Sequence, residues 1–145
     1  MTKEIKAMDQ TYYDKLKDFL NTNDRFCRSS GMKITAISEG CAEGELLVED
    51  RHLNGVNVVQ GGAIFTLADF TCAAAMNSFG QQAVSLSASS SFVRPGLPPR
   101  LTARATLVNK GKTTAVFDVD VFSDDGKLVM HSTMTGFLLD RKFDI

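Results

Sequence analysis

The stretch GVNVVQGGAIFTLADFTCAAAMNS, from Gly55 to Ser78, decides how the rest of this sequence is interpreted. Between Gly62 and Asn77 lie fourteen residues, of which thirteen are apolar or small and one, Asp69, carries a carboxylate. A charge that is buried without a partner is costly, so such a group is paired, protonated or used in chemistry. The role of Asp69 is therefore the first question that this stretch raises.

The same stretch predicts a helix that begins at Gly61-Gly62 and continues to about Phe79, with Gly80 as the stop signal. Apolar residues lie on every side of this helix, which indicates that it is buried all round. The chain has 145 residues, the size of one domain. The remaining segments must therefore wrap around the helix.

The wrapping segments are predicted to be antiparallel strands. MKITAISEGCAEGELLVED is typical of two strands joined around Glu39-Gly40, and residues 49–60 form a loop with a turn at Asn54-Gly55. Apolar and polar residues then alternate in AVSLSASSSFV, LTARATLVNK, AVFDVDVF and KLVMHSTMTGFLLD, which indicates strands with one face toward solvent. Residues 9–26 are predicted to form an amphipathic helix over one end of the core. The predicted order is α-ββ-α-βββ, an α+β fold with an antiparallel sheet curled around one central helix.

Composition argues against several classes of protein. The net charge is −1 with no long run of either sign, which argues against nucleic-acid binding. No segment reaches the roughly 18 uninterrupted apolar residues of a membrane span, and the N-terminus lacks the apolar core of a signal peptide. Cys27, Cys41 and Cys72 are scattered, which favours a reducing cytoplasm and a role as small apolar fillers. The two histidines, His52 and His131, offer no zinc cluster, and we expect no metal.

The segment HLNGVNVVQGGAIFTLAD, from His52 to Asp69, resembles the hotdog-fold acyl-CoA thioesterases of the phenylacetate-pathway (PaaI-like) type. That family typically shows an asparagine, a later histidine-glycine-glycine step and an acidic residue on the helix. Asn54, Gly61, Gly62 and Asp69 stand at the matching places, whereas Gln60 replaces the histidine. The resemblance covers roughly residues 30–140. It implies a hotdog domain at 30–145, preceded by an N-terminal helix and tail at 1–29.

Helix physics suggests a mechanism for these residues. The first backbone N–H groups of a helix have no internal partner and favour an anion, and Gly61 and Gly62 leave that end open to a carbonyl oxygen. Such a site is an oxyanion hole. Asp69 lies within about 80° of Gly61 around the helix, so it could activate water or attack the acyl carbon directly. The alternative is a structural carboxylate that is hydrogen-bonded to a hydroxyl such as that of Ser85 or Ser87.

Other polar residues extend the candidate site. Asn54 could orient water or the thioester carbonyl, or it could be only a turn residue. Ser85 could hydrogen-bond the substrate, or it could be a small residue that permits close packing. Gln60 weakens any role that needs an imidazole and is assigned to substrate binding together with Gly62. Cations assigned to the phosphates of coenzyme A, against the alternative of ordinary solubilising charge, are Arg94, Lys110 and Lys112.

The resemblance implies hydrolysis of an acyl- or aryl-CoA to the free acid and coenzyme A. It also implies a homodimer or homotetramer with active sites at the subunit interface, so that Asp69 and Gly61 can serve one site from different chains. We expect no cofactor beyond the coenzyme A of the substrate, no nucleic acid and no membrane partner. The alternative is a non-catalytic acyl-CoA-binding module, which Gln60 favours. Asp69 favours the enzyme, since a binding module needs no carboxylate beside the carbonyl.

Overall fold

The structure is a computed structural model that describes residues 8–145; residues 1–7 of the predicted N-terminal tail lie outside the described part. Ten elements follow one another along the chain. They are α1 (Gln10–Asn23), α2 (Arg25–Ser29), β1 (Met32–Ser38), β2 (Cys41–Leu47), a 3-10 turn (Asp50–His52), α3 (Gly61–Asn77), β3 (Gln81–Phe92), β4 (Arg100–Lys110), β5 (Thr114–Ser123) and β6 (Leu128–Lys142).

The six strands form one sheet in the order β1-β2-β4-β5-β6-β3, and every neighbouring pair is antiparallel. The predicted antiparallel sheet around one central helix is thus confirmed. The predicted order, with three strands after the helix, was one strand short. Each of the four alternating segments after α3 forms a strand of its own.

The predicted helix over residues 9–26 is wrong in its last part, because the helix is interrupted at Asp24. Asp24 has extended backbone angles, and its side chain accepts a hydrogen bond from the Cys27 N–H at 3.0 Å, which starts the separate helix α2. Aspartate competes for backbone donors in this way and so favours helix starts over helix interiors. Leu16 and Leu20 of α1 are buried in the same core as the sheet. The boundary proposed between residues 29 and 30 stays a prediction.

Helix α3 begins at Gly61 as predicted and ends at Asn77, two residues before the predicted end. Its buried side contributes Ile64, Leu67 and Ala74 to the core. The expectation that it is buried all round is wrong. A row of residues along one side is partly or fully exposed, and we call it the open stripe: Gly62, Phe65, Thr66, Asp69 and Ala73.

Strand β3 forms one edge of the sheet, and both of its faces are open between Val84 and Ser89. The alternation of the sequence predicts one buried face, with Val84 and Leu86 on the apolar side, but these side chains are 51% and 57% exposed. A register shift between Ser85 and Ser87 interrupts the alternation, since a bulge reverses the facing of the residues beyond it. β3 is therefore a long edge strand without cover in the single chain.

Within residues 8–145, none of the helices is both long and apolar enough to cross a membrane.

Candidate functional site

The N-terminus of α3 is held by Gln60. This residue is extended, its backbone N–H donates to the His52 carbonyl at 2.8 Å, and its side-chain oxygen accepts a hydrogen bond from the Gly62 N–H. The Gly61 N–H, by contrast, donates to no acceptor within residues 8–145. One backbone donor at this helix end is therefore occupied by the cap, and its neighbour is available for a ligand.

The two glycines consequently have different roles. A Cβ at position 62 would lie 2.7 Å from the Gln60 side-chain oxygen, so glycine there allows the cap to fold back. A Cβ at position 61 would meet only the Phe92 ring, at an ordinary 3.7 Å. The sequence predicts that both glycines leave the helix end open to a carbonyl oxygen, and it assigns Gly62 to substrate binding. The geometry leaves Gly61 as the free donor and makes Gly62 the partner of Gln60.

Asp69 lies on the open stripe and is partly exposed, so the opening premise of a buried carboxylate does not hold. One carboxylate oxygen accepts a hydrogen bond from the Ser85 hydroxyl at 2.8 Å. The other oxygen has no hydrogen-bond partner in the described part of the chain. This is the hydrogen bond that the structural alternative predicts for Asp69, and it leaves the second carboxylate oxygen free, so the catalytic role of Asp69 stays a prediction.

Gly61 and Asp69 of one chain are too far apart to act on a single carbonyl. Eight residues at 1.5 Å per residue separate them by about 12 Å along the axis of α3. A reacting carbon must lie about 3–3.5 Å from its nucleophile, and its oxygen about 3 Å from the donor. Their similar direction around the helix therefore does not suffice within one chain.

Asn54 organises the loop before α3. Its side-chain oxygen accepts hydrogen bonds from the Val56 N–H at 3.0 Å and the Val58 N–H at 3.3 Å, and its own N–H donates to the Val58 carbonyl. This pattern is that of a turn residue. Its side-chain nitrogen donates to no acceptor in the described residues, so it remains available to a ligand.

The three predicted phosphate-binding cations do not lie together in one chain. Arg94 follows β3 and donates to the Leu128 carbonyl at 3.1 Å, at one end of the sheet. Lys110 lies over the Phe79 ring at the other end, and Lys112 follows it in the next turn. The nine steps along β4 from Leu101 to Lys110 alone span roughly 30 Å of strand.

Two cavities flank the N-terminus of α3. The Arg94 cavity has a volume of about 350 Å³ and contains Gly61, Phe92 and Arg94 in its wall. The Phe26 cavity, on the other side, has a volume of about 420 Å³. Its lining residues are Phe26, Ser30, Met32, Arg51, His52, Gln60, Gly62, Ala63 and Thr66.

Sequence reasoning missed the Phe26 cavity, since its walls come from four separate segments. No local pattern marks Phe26 or Met32 as neighbours of Gly62. The Thr66 hydroxyl, which lines this cavity, donates to the Gly62 carbonyl at 2.7 Å and so bonds the backbone of its own helix.

The remaining reactive side chains have structural roles. Burial raises the pKa of the Cys27 and Cys72 thiols above the usual value, which keeps them protonated and poorly nucleophilic. The His52 Nδ1 accepts from the Glu49 N–H at 2.9 Å, so its Nε2 carries the proton and donates to the Ser30 carbonyl at 2.7 Å. His131 pairs with Asp120 at 2.6 Å on the face of the sheet away from α3.

Comparison with known proteins identifies a family whose sequence pattern this chain matches. A family model described as the thioesterase superfamily matches residues 56–130, which include α3 and its N-terminus. A putative esterase of Archaeoglobus fulgidus is 32% identical over 131 residues, covering 90% of this chain and 85% of the relative. The acyl-coenzyme A thioesterase PaaI of Escherichia coli is 36% identical over 108 residues, covering 74% of this chain and 77% of the relative.

Solved structures agree with these relatives. The E. coli PaaI protein from the phenylacetic acid degradation operon superposes with a TM-score of 0.87 at 29% identity, covering 91% of this chain and 96% of that one. A Streptococcus mutans protein solved with acetyl-CoA bound superposes with a TM-score of 0.73 at 28% identity, covering 77% of this chain and 91% of that one. The likeness therefore extends over the central helix and most of the sheet.

Proposed function

Because the chain belongs to the thioesterase superfamily and is a PaaI-like thioesterase with the hotdog fold, we propose that it hydrolyses an acyl- or aryl-CoA thioester to the free acid and coenzyme A. The observation that carries the proposal is the free N–H of Gly61 beside an open stripe that presents Asp69. The name of the PaaI relative and the acetyl-CoA bound to the S. mutans protein support coenzyme A as the thiol part.

In the proposed reaction, the thioester carbonyl oxygen accepts a hydrogen bond from the Gly61 N–H. Negative charge develops on that oxygen as the carbon is attacked, and the N-terminus of α3 stabilises it through the N–H and the helix dipole. The Gln60 cap keeps the first turn of α3 in place while it leaves Gly61 unoccupied. Gln60 thus needs no imidazole to serve this function.

Asp69 supplies the attack in one of two ways. As a general base, its carboxylate removes a proton from water as the water oxygen bonds to the acyl carbon and the carbon–sulfur bond breaks. As a nucleophile, it first forms an acyl anhydride with release of the coenzyme A thiolate, and water then cleaves the anhydride. In both routes the products are the free acid and coenzyme A, without a metal or further cofactor. The Ser85 hydrogen bond fixes the carboxylate for either route.

The separation of about 12 Å along α3 leads us to assign Gly61 and Asp69 of one site to two different chains. A second copy that adds to the open edge of β3 would also cover the open stripe of α3. Antiparallel addition at this edge would bring the Lys110 end of one chain beside Arg94 of the other. Cations from both ends of the sheet could then bind the phosphates of one coenzyme A.

We accordingly expect a homodimer or a dimer of dimers. Long unpaired edge strands invite pairing with another chain, and β3 has twelve residues and two open faces. Light scattering at micromolar concentration should give a mass of two or four chains. A strictly monomeric protein with full activity would contradict both the dimer and the shared site.

The proposed function is tested by the release of free thiol from a panel of acyl- and aryl-CoA thioesters, followed with a thiol-reactive dye. Hydrolysis of at least one member at an enzymatic rate supports the proposal. Tight binding of the panel without thiol release would instead support the acyl-CoA-binding module. We also propose a cytoplasmic location, which the three free cysteines support.

A further inference from the structure

The two cavities beside the N-terminus of α3 differ in charge. Arg94, in the wall of one, forms no ion pair within residues 8–145 and so suits a phosphate. Arg51, in the wall of the other, is paired with Glu49 at 3.4 Å. The Phe26 cavity therefore suits an uncharged group better than it suits coenzyme A phosphates.

The inner surface of the Phe26 cavity is largely apolar. Phe26 of α2 has 67% of its surface exposed, and the buried Met32 and Ala63 of α3 line the same cavity. Gly62 and Thr66 belong both to this cavity and to the open stripe that presents Asp69. The Phe26 cavity therefore adjoins the N-terminus of α3, where the proposed function places the carbonyl.

Hydrogen bonds connect the wall of the cavity to the helix end. The His52 Nε2 donates to the carbonyl of Ser30 at the end of α2, and the His52 carbonyl accepts from the Gln60 N–H at 2.8 Å. Arg51 also donates to the Ser29 carbonyl. These hydrogen bonds link the C-terminal end of α2 to the residue before Gly61. They therefore fix the position of α2, and with it Phe26, relative to the N-terminus of α3.

We propose that the acyl group of the thioester occupies the Phe26 cavity, and that the Phe26 side chain limits the size of the acyl group that the enzyme accepts. This inference rests on the proposed function and adds its specificity-determining residue. Phe26 lies outside residues 56–130, which the family model matches, so the limit belongs to the N-terminal segment of this chain.

The test compares Phe26→Ala and Phe26→Trp with the parent on straight-chain acyl-CoAs from acetyl to palmitoyl. Phe26→Ala should raise the ratio of kcat/KM for long over short acyl chains at least about tenfold, since one methylene in an apolar pocket changes selectivity by that order. Phe26→Trp should lower the same ratio.

Phe19→Ala is the matched control. Phe19 is also an aromatic residue of the N-terminal segment, but it packs against Phe143, with 5.5 Å between the two ring centroids, and does not line the cavity. The Phe19→Ala variant should leave the ratio of kcat/KM for long over short acyl chains unchanged. An equal change for all acyl groups in both Phe26 variants, in an active enzyme, would overturn the inference and leave the proposed function standing.

A second measurement separates the two claims without turnover. Acyl-CoA thioethers, which cannot be hydrolysed, should bind Phe26→Ala with the same shift toward longer chains in calorimetry. Such a shift in a protein that releases no thiol from any thioester would support the cavity assignment and refute the proposed hydrolysis. Unchanged chain-length dependence of binding would refute the cavity assignment.

Discussion

Asp69→Asn is expected to lower thioester hydrolysis at least about 100-fold, the usual scale for the loss of acid–base help. The substitution keeps the size of the side chain and an oxygen that can accept from the Ser85 hydroxyl. It removes the basic oxygen that is free in the structure. The melting temperature should stay the same or rise, since a carboxylate held for chemistry often costs stability.

Asp118→Asn provides the matched control for Asp69→Asn. Asp118 is an exposed carboxylate on the face of β5 away from α3, so its loss changes net charge equally without touching the site. Turnover and thermal midpoint should be measured on the same preparations. If Asp69→Asn melts early yet cleaves thioesters at nearly the parental rate, Asp69 is a structural residue and the mechanism fails.

Most of the fold could be predicted from periodicity. Alternation identified each strand segment, and the position of Gly61 identified the start of α3. Two of the failed predictions have identifiable physical causes. Asp24 uses its side chain to start a new helix, and residues 84–89 of β3 are exposed because nothing in the single chain covers either face of this edge strand.

The site was predictable only where its residues are close in sequence. Gly61, Gln60 and Asp69 belong to one helix and its cap, so their spacing could be read directly. The wall formed by Phe26 and Met32 depends on how α2 packs against α3, and no local pattern encodes that contact. The exposed stripe was also missed, because composition and periodicity show that a helix is apolar but not which of its faces the rest of the chain covers.

Gly61→Pro is expected to lower hydrolysis about 100- to 1000-fold, the cost of losing one oxyanion-hole donor. Proline removes the N–H and nothing else that the helix needs, because the first helical position has no internal partner and favours proline. The preceding Gln60, with φ −61° and ψ 134°, already has the backbone angles that proline requires of its neighbour. The melting temperature should therefore change little.

Gly61→Ala is the control that separates the N–H from the loss of glycine. Alanine keeps the donor, and its Cβ would lie 3.7 Å from the Phe92 ring, an ordinary contact. Its activity should stay within about tenfold of the parent, or roughly 1.4 kcal/mol in the barrier. Equal losses in Gly61→Pro and Gly61→Ala would show that shape at this position matters rather than the donor.

Combining Gly61→Pro with Asp69→Asn in one mixed dimer tests whether a site draws on two chains. Differently tagged chains, one carrying each substitution, can be co-expressed and the mixed dimer isolated by two affinity steps. If each site takes Gly61 from one chain and Asp69 from the other, one of the two sites in this dimer has both native residues and the other has neither. The mixed dimer should then recover about half of the parental activity, although each variant alone is nearly inactive. If both residues of a site came from the same chain, neither site would be intact, and the mixed dimer would remain as inactive as the single variants.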